Sequence, residues 1–167
     1  MIIRAETPDD EHAIHRVTKA AFTNVSHTRG MEAQIVCKLR KDGDLRLSIV
    51  AEVNGKIVGH VAFSPITVAG RHDDWFGLGP VAVRPDMQRR GIGSALVTCG
   101  LTELRAAGAK GCALVGKPRF YKRFGFKSDG MIVFRGLPAR LVQRLVFVGD
   151  IPSGVLAYAP AFDLANP

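Results

Sequence analysis

One stretch of the chain, from Leu78 to Val97, decides the fold and reads LGPVAVRPDMQRRGIGSALV. Its opening segment, LGPVAV, is a short apolar run of the kind that forms a buried strand. Its last part begins a predicted helix that extends from Gly91 to about Ala107 and closes at Gly108. Between the two lies a loop of proline, arginine and glycine. A strand that leads through such a loop into a helix can present free backbone donors to a ligand.

The loop has the chemistry of an anion site. Gly91 and Gly93 carry no side chain where the first turn of the helix exposes N–H groups that have no partner inside the helix. Gln88, Arg89 and Arg90 add hydrogen-bond donors and positive charge beside those groups. The stretch therefore predicts a cradle for a pyrophosphate rather than a simple turn.

The charge of the whole chain is concentrated around this cradle. The 167 residues carry a formal net charge of +8. The segment from Arg84 to Lys127 holds ten basic and two acidic residues, so it accounts for the whole excess, and the rest of the chain is balanced. A basic segment of this kind favours a polyanionic partner, and a polyphosphate cofactor and a nucleic acid both meet that description.

The remaining sequence predicts one α/β (α+β) domain over residues 1–167, with a mixed, mostly antiparallel central sheet flanked by helices. Its size, its 47% hydrophobic content and its lack of a linker-like segment favour a single domain. The run at 45–53 alternates apolar and polar residues, which predicts a strand with one buried face. Asn54-Gly55 then predicts a hairpin turn. Strands are expected at 2–5, 45–53, 56–68, 78–83, 112–116, 131–134 and 155–158, and helices at about 8–21, 31–41, 91–107 and 118–124.

Composition also bears on location and on metals. The longest stretch without Asp, Glu, Lys or Arg, Ile57 to Gly70, is too short to span a membrane. We therefore expect a soluble cytoplasmic protein with no membrane partner, either a monomer or a homodimer. His12 and His15 lie with Glu11 on the polar face of a charged helix, which is weak evidence for a metal site, and no metal is expected.

Two motifs carry a resemblance to a known family. The stretch from Leu78 to Val97 resembles the acetyl-CoA site of the GNAT superfamily of N-acetyltransferases, whose pattern Gln/Arg-x-x-Gly-x-Gly/Ala is met by Gln88, Gly91 and Gly93. The later FYKRFGF, Phe120 to Phe126, is similar to the family's second signature, Tyr-x-x-x-Gly-Phe. The resemblance implies a GNAT-like fold and an enzyme that uses acetyl-CoA as cosubstrate.

The resemblance also implies roles for single residues. The residues from Gln88 to Ser94 would bind the pyrophosphate, and the strand at Val81 and Val83 would lie along the pantetheine arm and hold the oxyanion through backbone N–H groups. Tyr121 would be the general acid that protonates the departing thiolate, while packing on a short helix is its alternative role. The implied cofactor-binding residues are Val81, Val83, Gln88, Arg89, Arg90, Gly91, Ile92, Gly93 and Ser94.

The general base is left open by the sequence. Many relatives place a glutamate on the strand before the cradle, but WFGLGPVAV contains none. Glu32, at the start of the second helix, and His60, on the hairpin strand, are the two candidates, since either could accept a proton through water. Each also has a structural alternative, as a charge at a helix N-terminus for Glu32 and as a hydrogen-bonded sheet residue for His60. An asparagine that often precedes the signature tyrosine is replaced by Leu114.

The resemblance implies an acyltransferase that moves an acetyl group from acetyl-CoA to a primary amine by direct attack. The acceptor is expected to be a small molecule or a peptide, with its specificity set by the loop from Thr23 to Gly30 and by the C-terminal strands. One alternative is a basic nucleic-acid-binding module, which is less favoured because the aromatic residues near Tyr121 have the spacing of a packed helix. The other is a catalytically silent acyl-CoA-binding sensor, which the missing glutamate leaves possible.

Overall fold

The computed structural model describes residues 1–26 and 28–165. Short 3-10 turns precede α1 and follow several of the other elements. One of them, the C-terminal 3-10 helix, covers Pro160–Leu164. The strands are β1 (Ile2–Ala5), β2 (Leu47–Val53), β3 (Lys56–Val68), β4 (Trp75–Val83), β5 (Gly111–Val115), β6 (Ile132–Val133), β7 (Val142–Val146) and β8 (Gly154–Tyr158), and the α-helices are α1 (Glu11–Phe22), α2 (Glu32–Asp42), α3 (Ile92–Ala106) and α4 (Pro118–Tyr121).

The strands form a mixed sheet in the order β1-β2-β3-β4-β5-β7, and β8 pairs with the far end of β3 and with β6. The pairs β4–β5 and β6–β8 are parallel, and the other pairs are antiparallel. Helices cover both faces of the sheet. The predicted fold class, a mixed and mostly antiparallel sheet flanked by helices, is confirmed.

Strand β2 is buried on both faces. Ile49 and Ala51 belong to the core under α3, as the alternating pattern predicts. Val50, on the other face, is fully buried and packs with Ile14 of α1 and Val36 of α2. The prediction of one buried face is therefore wrong. Polar residues on the face of Val50 indicated that this face was open to solvent, but the α1–α2 pair covers it.

Helix α3 packs very closely on the sheet. A Cβ atom at Gly100 would lie 2.1 Å from the ring of Phe63 in β3, so only glycine allows the helix to approach this far. A Cβ atom at Gly59 would lie 2.9 Å from Leu96, which points to the same close contact nearer the start of the helix. This packing fixes the N-terminus of α3 beside the end of β4.

Strands β4 and β5 separate partway along their length. Their pairing runs from Trp75–Gly111 to Gly77–Ala113 and stops there. Beyond Gly77, the edge of β4 that faces β5 has no strand partner. The gap opens into the interior at the end of the sheet where α3 begins.

Strand β7 is an element that the sequence did not predict. It pairs with all of β5, from Gly111–Val146 to Val115–Val142. Gln143 interrupts its apolar pattern, but this side chain is buried and its amide donates a hydrogen bond to the carbonyl oxygen of Gly116 at 2.9 Å. A satisfied polar residue in the core hides the strand from a search for alternating apolar residues.

Candidate functional site

Two clefts meet at the opening between β4 and β5. The larger, which we call the central cleft, has a volume of about 730 Å³ and extends from β4 to α2, β8 and the C-terminal 3-10 helix. The smaller, the α3 cleft, has a volume of about 560 Å³ and follows the loop at the start of α3. Both clefts are lined by Val81, Val83, Gln88 and Tyr121, so a single extended ligand could occupy the two together.

The α3 cleft brings together nearly all the predicted cofactor residues. Val81, Val83, Gln88, Arg89, Gly91, Ile92, Gly93 and Ser94 line it. Arg90 does not; it is exposed in the same loop. The cleft is completed by Phe120, Tyr121 and Arg123.

The loop before α3 is held open towards this cleft. Arg89 and Gly91 have φ angles of +61° and +80°, which turn the chain into the helix. The side-chain amide of Gln88 donates to the carbonyl oxygen of Val83 at 3.0 Å and ties the loop to β4. A Cβ atom at Gly93 would lie 3.5 Å from Phe120, an ordinary contact, so the protein itself does not require glycine there. The missing side chain leaves space for a ligand at the first turn of α3.

The charge around the α3 cleft suits an anion. The first turn of α3 contains no acidic side chain, so the positive end of the helix dipole is not neutralised there. Asp86, the acid nearest in sequence, is paired with Arg84 at 2.6 Å. Arg123 lies over the ring of Phe120 at 4.9 Å and donates to the hydroxyl of Ser94 at 3.2 Å. Sequence reasoning counted Arg123 only as part of the basic segment and missed its position in the cleft.

Tyr121 lies where the two clefts meet. Its ring packs edge-on against Phe120 at 4.9 Å and Phe126 at 5.9 Å. Gly116 makes room for it, because a Cβ atom at that position would lie 2.8 Å from the Tyr121 ring. Burial raises the pKa of Tyr121 to about 12, so the phenol stays protonated well above neutral pH.

Glu32 lines the central cleft from the first position of α2. Its Oε2 atom is buried and has no hydrogen-bond partner among the described residues. Buried carboxylate oxygens are normally satisfied, so this atom is available to an N–H group or a water that enters the cleft. The structure thus places Glu32 and Tyr121 on the same cleft.

The structure does not bring His60 to this cleft. His60 is fully buried in β3, and its Nε2 lies 2.7 Å from the hydroxyl of Ser48. That hydroxyl donates to the carboxylate of Glu6, which is paired with Arg40 at 2.8 Å. Burial lowers the pKa of His60 to about 4. His60 lines neither cleft and belongs to a buried network that joins β2, β3, α2 and the segment before α1.

Sequence reasoning missed most of the far wall of the central cleft. Phe134, Tyr158 and Phe162 all line it, together with Arg135 and Asp163. The sequence predicted strands near 131–134 and 155–158, but it gave no sign that aromatic residues from the two would meet. Burial raises the pKa of Tyr158, so the cleft holds a second protonated phenol.

This architecture has known counterparts. Residues 11–126 match the model of the Acetyltransferase (GNAT) family. The chain belongs to the GNAT family. It is 37% identical over 128 residues to the uncharacterized N-acetyltransferase YhbS of Escherichia coli K12, a match that covers 76% of this chain and 74% of the relative. The resemblance drawn from the two sequence motifs is confirmed, and the chain is an N-acetyltransferase.

Two solved GNAT structures are similar along almost the whole chain. One is a GNAT acetyltransferase from Brucella melitensis in complex with acetyl-CoA, 44% identical, with a TM-score of 0.88 and coverage of 97% of both chains. The other is YhbS from Escherichia coli in complex with CoA, 30% identical, with a TM-score of 0.89 and coverage of 97% of this chain and 91% of that one.

The described residues also bear on metals and membranes. In residues 1–26 and 28–165, no three His, Cys, Asp or Glu side chains are grouped so that they could hold a metal ion. Within the same residues, no helix has both the length and the apolar character needed to cross a bilayer.

Proposed function

We propose that this chain, as a single domain over residues 1–167, transfers the acetyl group of acetyl-CoA to a primary amine of a small-molecule or peptide acceptor by direct attack. It would act in the cytoplasm as a monomer or a homodimer. The observation that carries the proposal is that Tyr121 lines both clefts, so a phenol stands where a cofactor in the α3 cleft would meet an acceptor in the central cleft. Acetyl-CoA and CoA in the two similar structures support the cofactor assignment.

The α3 cleft would hold the cofactor. Backbone N–H groups from Gln88 to Ser94 would bind the pyrophosphate, with help from the side chains of Arg89 and Arg123. Arg90, which is outside the cleft, would contribute only to the surrounding positive field. Beyond Gly77, β4 has no partner from β5, so this edge of the strand is available to the pantetheine amides and the thioester oxygen. That arrangement supports the proposed roles of Val81 and Val83.

The chemistry then needs two proton transfers. The neutral amine nitrogen attacks the thioester carbon, a C–N bond forms, and the C–S bond breaks to release CoA thiolate. Tyr121 would give its proton to the thiolate, and Glu32 would take the proton that the amine loses, directly or through water. Tyr158 is a weaker candidate for the acid because it lines only the central cleft, away from the cofactor loop. Glu32 is favoured over His60 because only Glu32 lines the cleft.

The test of this function is CoA release from acetyl-CoA over a panel of primary amines, combined with calorimetric binding of acetyl-CoA. We expect binding that weakens as salt rises and turnover with at least one amine. Acetyl-CoA binding without turnover of any amine would favour the silent sensor. Oligonucleotide binding that CoA does not displace would favour the nucleic-acid-binding module.

The base is tested by Glu32→Gln, which keeps the size of the side chain and removes its proton affinity. If Glu32 is the base, kcat should fall by roughly 10²-fold. Asp163→Asn is the matched control, because Asp163 is a second carboxylate on the same cleft but its side chain is 72% exposed. We expect the control to lose less than about threefold.

A further inference from the structure

The far side of the central cleft is formed by three aromatic rings that touch in sequence. Phe134 packs edge-on against Tyr158 at 5.4 Å, and Tyr158 stacks on Phe162 at 4.6 Å with an angle of 29° between the rings. All three are half-buried and all line the cleft. We call these three residues the aromatic wall.

The aromatic wall is fixed by its surroundings. Tyr158 fits against Gly77, where a Cβ atom would come within 2.9 Å of its ring. Phe162 packs on the buried cluster that contains Ile35 of α2, the helix that begins with Glu32. Tyr158 and Phe162 are therefore held by β4 and by the helix that begins with the candidate base, and neither ring can turn away from the cleft without disturbing these contacts.

The charged groups on the cleft are few, with equal numbers of acids and bases. Among the described lining residues, the acids are Glu32 and Asp163, and the bases are Lys117 and Arg135. Asp163 already lies 3.8 Å from Arg135. Glu32 is the one described lining residue whose carboxylate has a buried, unpartnered oxygen. The cleft can therefore pair one cationic group with a carboxylate. Each further cation transferred from water into the cleft would have no carboxylate to pair with.

We infer that the acceptor is a primary amine with a single positive charge and an apolar body of aromatic size, which stacks on the aromatic wall while its nitrogen lies near Glu32. The inference rests on the proposed function and specifies the chemical class of its acceptor. It excludes polyamines and aminoglycosides as preferred acceptors, because they carry several cations and little apolar surface. It also disfavours the lysine side chain of a polar peptide, which offers the wall only a methylene chain.

The experiment compares acceptors at saturating acetyl-CoA. The panel is 2-phenylethylamine, propylamine, spermidine, kanamycin and a polar peptide with one lysine. We expect kcat/KM for 2-phenylethylamine to exceed that for each of the others by about tenfold or more, since an aromatic ring packed on aromatic partners gains both buried area and ring contacts. A preference for spermidine, kanamycin or the peptide would overturn the inference and leave the proposed function intact.

Two variants test whether the wall causes the preference. Phe162→Leu keeps an apolar side chain but removes the stacking ring, and it should reduce the ratio of 2-phenylethylamine to propylamine at least threefold with an unchanged KM for acetyl-CoA. Phe147→Leu makes the same change at a half-buried ring that lines neither cleft, and it should leave the ratio unchanged. An equal loss of the ratio in both variants would contradict a role for the wall.

A binding measurement separates this inference from the proposed function. Saturation-transfer NMR with the CoA-bound protein detects contact with the ring of 2-phenylethylamine whether or not the amine reacts. If no amine turns over, ring contact that disappears in Phe162→Leu would still support the inference while the proposed function fails. The absence of ring contact in the unchanged protein would overturn the inference.

Discussion

The two clefts that meet at Tyr121 are built in different ways. The α3 cleft is formed mostly by one continuous segment, and its proposed ligand-binding groups are the backbone N–H groups beside Gly91 and Gly93. The central cleft is formed by side chains from α1, α2, β4, β8 and the C-terminal 3-10 helix, which are far apart along the chain. Backbone donors suit a ligand common to a whole family, whereas side chains from separate elements can change one by one.

This difference predicts separate effects of mutation. Changes in the α3 cleft should alter the KM for acetyl-CoA, and changes in the central cleft should alter the choice of acceptor. Tyr121 belongs to both clefts, and its substitution should instead lower kcat. Substitutions at Tyr121, Gly93, Arg89 and His60 test this division, and their expected effects on kcat/KM decrease in that order.

The largest effect is expected for Tyr121→Phe, which removes one oxygen from the junction and leaves the ring packing in place. If the phenol protonates the thiolate, kcat should fall by roughly 10²-fold or more, within the range of a positioned general acid, with little change in the KM for acetyl-CoA. Steady-state kinetics and a thermal melt measure both properties.

Tyr158→Phe is the matched control, since it removes a second phenol from the central cleft alone. Its effect on kcat should be less than about tenfold. A larger loss in Tyr158→Phe than in Tyr121→Phe would assign the proton donor to Tyr158. Retention of kcat within about threefold in Tyr121→Phe, with the chemical step rate-limiting, would mean that water protonates the thiolate.

The second effect concerns Gly93→Ala, which separates folding from cofactor binding. The added methyl group meets Phe120 only at an ordinary contact distance, and alanine favours a helix over glycine by about 1 kcal/mol. The Tm should therefore stay the same or rise. The KM for acetyl-CoA should change little in Gly93→Ala, since the family pattern accepts alanine at this position. It should increase about tenfold in Gly93→Leu, because a larger side chain at the first turn of α3 would displace a phosphate from its charged hydrogen bonds. An unchanged KM in Gly93→Leu would contradict this assignment.

The third effect distinguishes two adjacent arginines. Arg89 lines the α3 cleft, whereas Arg90 does not. Arg89→Ala should raise the KM for acetyl-CoA about fivefold, with a weaker effect at high salt, and should change kcat little, since a remote phosphate contact is similar in the ground and transition states. Arg90→Ala should raise the KM less than twofold. Equal effects would show that only the summed charge of the loop matters.

The α3 cleft could be predicted from the sequence because its residues are close together along the chain. Glycine spacing and local charge in Gln88 to Ser94 are visible without knowledge of the fold, and the structure brings this stretch to one cleft with Val81, Val83 and Tyr121. Arg90 is the exception, since the local pattern does not determine which way a loop arginine points. The helix and hairpin predictions succeeded for the same local reasons, including β3 with its full extent.

The aromatic wall could not be predicted in this way. Phe134, Tyr158 and Phe162 meet only because β8 pairs with both β3 and β6, and pairing between distant short strands leaves no signal in a single sequence. Glu32 and His60 looked equivalent as bases for a similar reason. The side of β3 on which His60 lies is determined by the register of β2, β3 and β4, and that side faces the α1–α2 layer.

The smallest effect on turnover is expected for His60→Gln, which tests whether the buried network belongs to the site. A glutamine amide can still donate to Ser48 but does not titrate, so kcat should stay within about twofold. Stability should change instead. Burial lowers the pKa of His60 from 6.5 to about 4, so in this range the unfolded chain binds the proton more strongly, and the native protein loses stability as the pH falls from 7.5 to 5. Urea unfolding should show that this loss is smaller in His60→Gln by about 2 kcal/mol. A shifted pH–rate profile with unchanged stability would instead indicate that His60 acts as the base.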